Sequence, residues 1–330
     1  MAQSVAAPTR QRQRLPFVVP LLTLGVFLMI TIEYIVAGLL QEVAADLHVS
    51  IAQVEFLITA FAVGMIIGSP VMAIATLRLP PRMTLVLALV VYAVAHVAAA
   101  LSGSFTFVLI SRVITALAAG AFWAVASVVA TTAAGPSNAS RALGVMMSGV
   151  GLATVAGVPV GAFAGQYLGW RGIFWMLAVP ALVIAPVIGK LTPNNADRPV
   201  PSIRRELRAV ATGRMAILVI ATVLATGGYM TAFSYLSPLA TDRAGIPAEA
   251  LPLLFVAFGA GAIIGTNLAG RFADHRPMTT FITATAATIV VMALLVPLSA
   301  APAAMFALMF LLGIAGMGIP PVGTGLAGLV

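Results

Sequence analysis

An all-helical membrane fold of about ten crossings, gathered into two related bundles, is what this chain predicts, and three observations predict it. The first is composition: 61% of the 330 residues are hydrophobic and 8% are charged, with a mean hydropathy of +1.11, and a water-soluble domain this apolar would aggregate. The second is segmentation, because the apolar residues form continuous runs long enough to cross a hydrocarbon core about 30 Å thick, not the short alternating segments of a barrel. The third is repetition. GMIIG at 64–68 recurs as GAIIG at 261–265, and the same offset (261 minus 64, or 197) lays Gly270 on Ala73, Asp274 on Leu77 and Pro277 on Pro80. Internal duplication in a helical membrane protein points to a transporter.

The runs lie near 17–40, 51–76, 83–101, 105–132, 142–166, 171–190, 214–236, 252–271, 279–298 and 303–325. The first follows Arg10, Arg12 and Arg14, is too long for a signal-peptide core and lacks a small-residue cleavage site, so it reads as a retained helix. Residues 191–213 form the longest polar stretch. They divide the chain into a six-helix bundle (1–190), a basic cytoplasmic linker, partly an amphipathic surface helix (191–213), and a four-helix bundle (214–330). The duplication leads us to expect a twelve-helix fold whose last two helices are missing, which would leave a groove exposed on the second bundle. Pro320 and Pro321 either break the tenth helix or mark where its pattern ends.

With the N-terminus cytoplasmic, fourteen basic residues fall on the inner side and only Arg171 and Arg243 outside, which sets orientation by the positive-inside rule. The net charge of +8 therefore reads as topology in a lipid bilayer rather than as a nucleic-acid surface. The chain has no cysteine and three scattered histidines, so disulfides, thiolate sites and a histidine metal cluster find no support. No phosphate-binding loop of the GxxxxGK[ST] type is present, and no Ser/His/Asp set or HExxH motif suggests an enzyme.

Two intramembrane charges stand out. Glu33 precedes the external end of the first run by seven residues and Arg112 follows the external start of the fourth by seven. At about 1.5 Å rise per residue both lie about 10 Å deep, where an unpaired charge costs roughly 2.5–3.5 kcal/mol or more. Glu33 is expected to be functional; for Arg112, function and snorkelling toward the headgroups weigh equally. His96 is read as structural. Gly149, Gly151, Gly157, Gly161 and Gly165 place small residues along one helix, and Pro159 removes the amide that the Val155 carbonyl needs; close packing and a bend are the two readings. Trp170 reads as an interfacial anchor. Tyr34, Trp123 and Tyr229 are candidates for a cavity wall.

Three segments, in order and at matching spacing, make the chain resemble the major facilitator superfamily, and within it the bacterial drug, sugar and nucleoside efflux branch. TIEYIVAGLLQEVAADLHVS (31–50) is similar to that branch's first helix and external loop, SRVITALAAGAFWAVASVVA (111–130) to its fourth helix with the motif arginine at Arg112, and GLATVAGVPVGAFAGQYLGWRGIFW (151–175) to its antiporter motif and the start of helix six. The loop between helices two and three, ATLRLPPR (75–82), keeps only Arg78 and Arg82 of the family's GxxxDRxGRR pattern. The resemblance therefore carries a gating role to Gly270 and Asp274 in the second half, with Arg141 facing Asp274 across the bundles. It also implies that the helix of Gly157, Pro159 and Gly161 seals the external side and favours antiport.

The expected function is export of a small organic molecule (a drug, nucleoside or sugar) across a bacterial cytoplasmic membrane, coupled to protons and without another cofactor. Glu33 would be the protonation switch and Arg112 its modulator, in a monomer. A nutrient importer of the same fold, a membrane-embedded enzyme and a fragment that transports nothing are the competing expectations.

Overall fold

The computed structural model describes residues 15–76, 79–135, 138–192, 213–273 and 275–327. Arg78, Asp274 and the linker, including its expected surface helix, lie outside them. Helix α1 (Val18–Ile35) runs on through a 3-10 turn, Val36–Gly38, into the short α2 (Leu40–Leu47), which His48 ends in the left-handed region (φ 56°). A capping box starts α3 (Ile51–Ala75): the Ser50 hydroxyl accepts from the Gln53 amide at 3.2 Å while the Gln53 side chain accepts from the Ser50 amide at 2.9 Å. Then come α4 (Pro81–Leu101), α5 (Phe105–Ala134), α6 (Ala139–Leu152), a π-helical segment Ala153–Gly157, and α7 (Val158–Leu191). The second half holds α8 (Gly213–Ser234), a π-helical turn Leu239–Arg243, α9 (Leu251–Ala273), α10 (Pro277–Leu298), α11 (Pro302–Gly316) and α12 (Ile319–Ala327).

Among the described residues, nine helices are long and apolar enough to cross a membrane. One of them, Arg141–Leu191, has 51 residues, and about 1.5 Å per residue makes it twice the length one crossing needs. It is two crossings that reverse at Gly169, whose φ of 64° and ψ of 174° are not helical. The sequence places that reversal at 167–170, and the structure adds that there is no loop in it. The tenth crossing breaks at Met317–Gly318, leaving Pro320 and Pro321 in the first turn of α12, where a missing amide costs nothing.

In the first half α3 packs on α5, α4 on α5 and α7, and α1 on α6 and α7; in the second α9 and α10 pack on α11, and α12 on α8 and α10. The repeated glycines account for the two matching pairs. A side chain on Gly64 or Gly68 would strike Ala116 or Leu117 of α5, and one on Gly261 or Gly265 would strike the backbone of Phe310 or Ile314 in α11. The same pattern seats the second helix on the fourth in one half and the eighth on the tenth in the other, so the duplication is structural as well as textual. Spans α3, α8 and α10 are the least covered, 22% buried against 50–67% for the others, and they turn apolar side chains outward.

Charge divides by end. Glu42, Asp46, Glu55, Asp242 and Glu249 stand at one end, with Arg171 and Arg243; Arg82, Arg141, Lys190, Arg214, Arg271 and Arg276 stand at the other. We call these the acidic and the basic end.

Candidate functional site

Arg112 is the largest fully buried side chain among the described residues, 1% exposed. Burying a guanidinium without partners is costly, and the fold meets only part of that cost. Its Nε donates to the Leu57 carbonyl of α3 at 3.4 Å and its plane lies 4.6 Å from the centre of the Phe61 ring, a cation–π contact. Both terminal nitrogens have no hydrogen-bond partner. The Glu33 carboxylate of α1 lies in electrostatic range instead, with the neutral Tyr92 phenol of α4 beside it. The structure therefore brings Glu33 and Arg112 together, at matched depth and without a direct bond, and excludes snorkelling for Arg112.

Helix α4 adds two more polar side chains to the cluster. Tyr92 and His96 stand four residues apart, hence on one face. The Tyr92 hydroxyl donates to the Leu28 carbonyl at 3.0 Å, and His96 Nδ1 sits 2.7 Å from the Tyr92 carbonyl. A carbonyl can only accept, so Nδ1 carries the hydrogen and Nε2 is left an acceptor. That Nε2 is buried without a donor, in electrostatic range of Arg112, and the ring is held between Tyr92 and Phe174, centroids 4.2 and 5.1 Å away. His96 is thus an interior residue of the polar cluster and not an interfacial one.

Glu33 is also within range of the seam between the halves. Tyr34 of α1 and Tyr229 of α8 both lie in electrostatic range of its carboxylate. Tyr34 packs edge-on against Phe233 of α8 at 5.5 Å, and Phe233 in turn packs against Phe255 and Phe258 of α9. Tyr229 is buried, its hydroxyl 3.3 Å from the Met317 sulfur. Trp123 is half-buried and packs against the first-half core.

The halves are joined at the acidic end. Gln41 Nε2 donates to Thr241 Oγ1 (2.8 Å), Ser237 Oγ to the Ala37 carbonyl (3.1 Å) and Gln166 Nε2 to the Ala248 carbonyl (2.8 Å). Tyr235 pairs with Glu55 across the same seam, which together with burial raises the phenol above its ordinary value. Deeper, α9 rests on the π segment and on α7. In that segment the Val158 amide bonds to the Ala153 carbonyl, five residues back, so the helix takes up the amide missing at Pro159 by widening one turn. Gly157 and Gly161 face Thr31 and Ile35 of α1, and Gly259 of α9 meets the Thr154 carbonyl from the other half. The glycine spacing thus serves close packing on α1, and the irregular turn beside Pro159 is where the second half docks.

Trp170 requires a correction. It is 2% exposed and its indole nitrogen donates to Asp46 Oδ2 at 2.9 Å, while Arg171 pairs with the same carboxylate, donates to the Ser102 carbonyl at 3.0 Å and lies over the indole. It ties α7 to α2 inside the protein and does not anchor a lipid interface. Of the expected cytoplasmic gate, Asp274 lies outside the described residues, Arg141 is exposed at the start of α6, and Gly270 has open space around it.

Two bundles related by a repeat, titratable groups enclosed in the first and an aromatic seam between them define a helical membrane transporter. The chain belongs to the Major Facilitator Superfamily, whose family model matches residues 22–329. It is 35% identical over 303 residues to a chloramphenicol resistance protein of Streptomyces lividans, covering 91% of this chain and 77% of that one. It is 28% identical over 258 residues to the uncharacterized MFS-type transporter YtbD of Bacillus subtilis (strain 168), covering 78% of this chain and 65% of that one. Among solved structures, a bacterial homologue of the human lysosomal transporter Spinster in an inward-facing, unoccupied conformation superposes with a TM-score of 0.74 at 17% identity, over 94% of this chain and 74% of the other. A D-xylose–proton symporter superposes with a TM-score of 0.70 at 17% identity, over 94% and 85%.

Proposed function

We propose that the protein exports a small, largely apolar organic molecule in exchange for protons by alternating access, in a bacterial cytoplasmic membrane with the basic end and the N-terminus cytoplasmic. The observation that carries this reading is the placement of Glu33. Its carboxylate is within electrostatic range both of the enclosed guanidinium of Arg112 in the first half and of Tyr34 and Tyr229 at the aromatic seam with the second. A charge buried there must be balanced, either by Arg112 or by a proton. An apolar substrate entering the seam displaces water and favours the neutral acid, whereas a substrate-free, hydrated seam favours the carboxylate. Proton and substrate then bias different states of the same two-half machine, which is the requirement for coupling.

The hydrogen bonds across the acidic end support a state closed there; under alternating access that is the form that loads from the basic end, as an exporter would from the cytoplasm. The name of the Streptomyces lividans relative makes chloramphenicol the first substrate to test, and its neutral, compact and partly apolar chemistry suits the seam. In everted vesicles carrying the protein, whose lumen is made acidic, protons leaving the lumen should drive labelled chloramphenicol into it, and a protonophore should abolish this. Accumulation in right-side-out vesicles under an inward proton-motive force would instead establish import.

A further inference from the structure

Outside the seam, the basic end holds a groove that export does not use. It lies between the start of α4 and the end of α7, has a volume of about 420 Å³, and is lined by Met83, Val86, Leu87 and Pro186 with Arg82 and Lys190 at its mouth. Its floor exists because residue 189 is glycine: a side chain there would come within 2.8 Å of Val86 Cγ2 and close the cleft, and it would lie 3.8 Å from Arg82 Nε. The Arg82 guanidinium thus leans from α4 over the last turn of α7, toward Lys190.

We infer that this groove binds one anionic phospholipid of the basic-end leaflet, its acyl chain between α4 and α7 and its phosphate between Arg82 and Lys190. Three features select that ligand. The walls continue into the outward faces of α4 and α7, where Leu87, Val91, Val94, Val183 and Val187 are all exposed and apolar, so the groove opens to hydrocarbon and not to water. The mouth is cationic on both sides, and the described acids at the membrane surface stand at the opposite end of the protein, so nothing described there neutralises it. Helix α4 begins at this point with no side-chain cap, and its positive end adds to the attraction for phosphate. A zwitterionic headgroup carries its own cation and gains less. Two basic residues at a cleft between membrane helices form a headgroup site, and the inference is independent of substrate and of transport direction.

The test is native mass spectrometry of the whole protein released from micelles holding equal amounts of phosphatidylglycerol and phosphatidylcholine. The intact protein should retain one phosphatidylglycerol in preference. Each cation near the surface contributes about fivefold in affinity, so Arg82→Gln and Lys190→Gln should each cut the preference about fivefold and the double variant should remove it. Leu87→Trp, which fills the groove from a lipid-facing position and keeps both charges, should also lower retention, whereas Arg214→Gln at the same end should not. Adding inorganic phosphate should leave the bound lipid in place. Undiminished preference in the double variant overturns the site. Equal loss in Arg214→Gln overturns it too, because that pattern means a diffuse positive surface, and displacement by inorganic phosphate would mean a headgroup contact with no role for the groove.

Discussion

Substituting Gly259→Ala tests whether the docking of α9 on the π segment holds the acidic end shut. The added methyl would stand 2.6 Å from the Thr154 carbonyl oxygen and 2.9 Å from Val155 Cα. These are backbone atoms, so no rotamer change relieves the clash. Restoring an ordinary 3.4 Å separation requires the two halves to part by about 0.8 Å at that point. Overpacking of this kind costs about 1–3 kcal/mol, and about 1.4 kcal/mol changes an equilibrium tenfold. The cost falls only on the state in which the halves touch here, so the population closed at the acidic end should drop between about 5- and 150-fold relative to the open one. The chain has no cysteine, so spin labels at Gly103→Cys, an exposed loop position with open space around it, and Glu249→Cys report the distance across that end without background. Gly261→Ala is the control: its clash, with the Phe310 carbonyl, lies within the second half, and it should lower thermal stability and leave the label distance alone. If Gly259→Ala leaves the distance distribution unchanged, or if Gly261→Ala shifts it equally, the docking argument is wrong.

Glu33→Gln should retain chloramphenicol binding yet lose its dependence on pH, and Arg112→Ala should move the midpoint of that dependence; an unchanged profile in the first removes Glu33 from coupling, and an unmoved midpoint in the second removes Arg112. Asp46→Ala leaves the buried Trp170 nitrogen without its acceptor and should cost about 1–3 kcal/mol, whereas Asp46→Asn keeps an acceptor, loses only the half-exposed pair with Arg171 and should cost no more than about 1 kcal/mol; thermal unfolding in detergent ranks the two. Burial, only partly offset by a backbone hydrogen bond, holds the Glu42 carboxyl above its ordinary value. A raised acid contributes stability below its unfolded pKa and loses it as pH rises through the folded one. Glu42→Gln should therefore raise Tm by roughly 1–2 °C at pH 7 and by nothing at pH 4, and an equal gain at both values would exclude titration as the cause.

The crossings were legible because lipid imposes long apolar runs, and the equivalence of α3 and α9 was legible in the repeated glycines, though not the helices, α5 and α11, that they pack against. The depth of Glu33 and Arg112 could be counted from the helix ends. Their neighbours could not, because distance along a helix does not say which helix stands alongside. His96 was read as structural, but its enclosure stayed hidden for that reason, since it comes from the approach of Phe174 on α7. Trp170 failed likewise, since its partner Asp46 is 124 residues away. The missing amide at Pro159 left close packing and a bend as two readings, and the feature found beside it, a widened turn receiving Gly259, depends on the opposite half.

The reversal at Gly169 has a mechanical consequence. Because the fifth and sixth crossings turn into each other with no intervening loop, there is no slack between them. We expect a push of α9 on the π segment to reach the Trp170–Asp46 tie and, through the sixth crossing with its Pro180 and Pro186, the basic end at Lys190. The lipid groove would then sit at the far tip of the arm that the docking of the halves moves. Inserting two glycines after Gly169 should uncouple tip from fulcrum, so that label distances at the acidic end still change with substrate while those at Lys190 no longer follow; if Lys190 follows as before, the arm is not rigid.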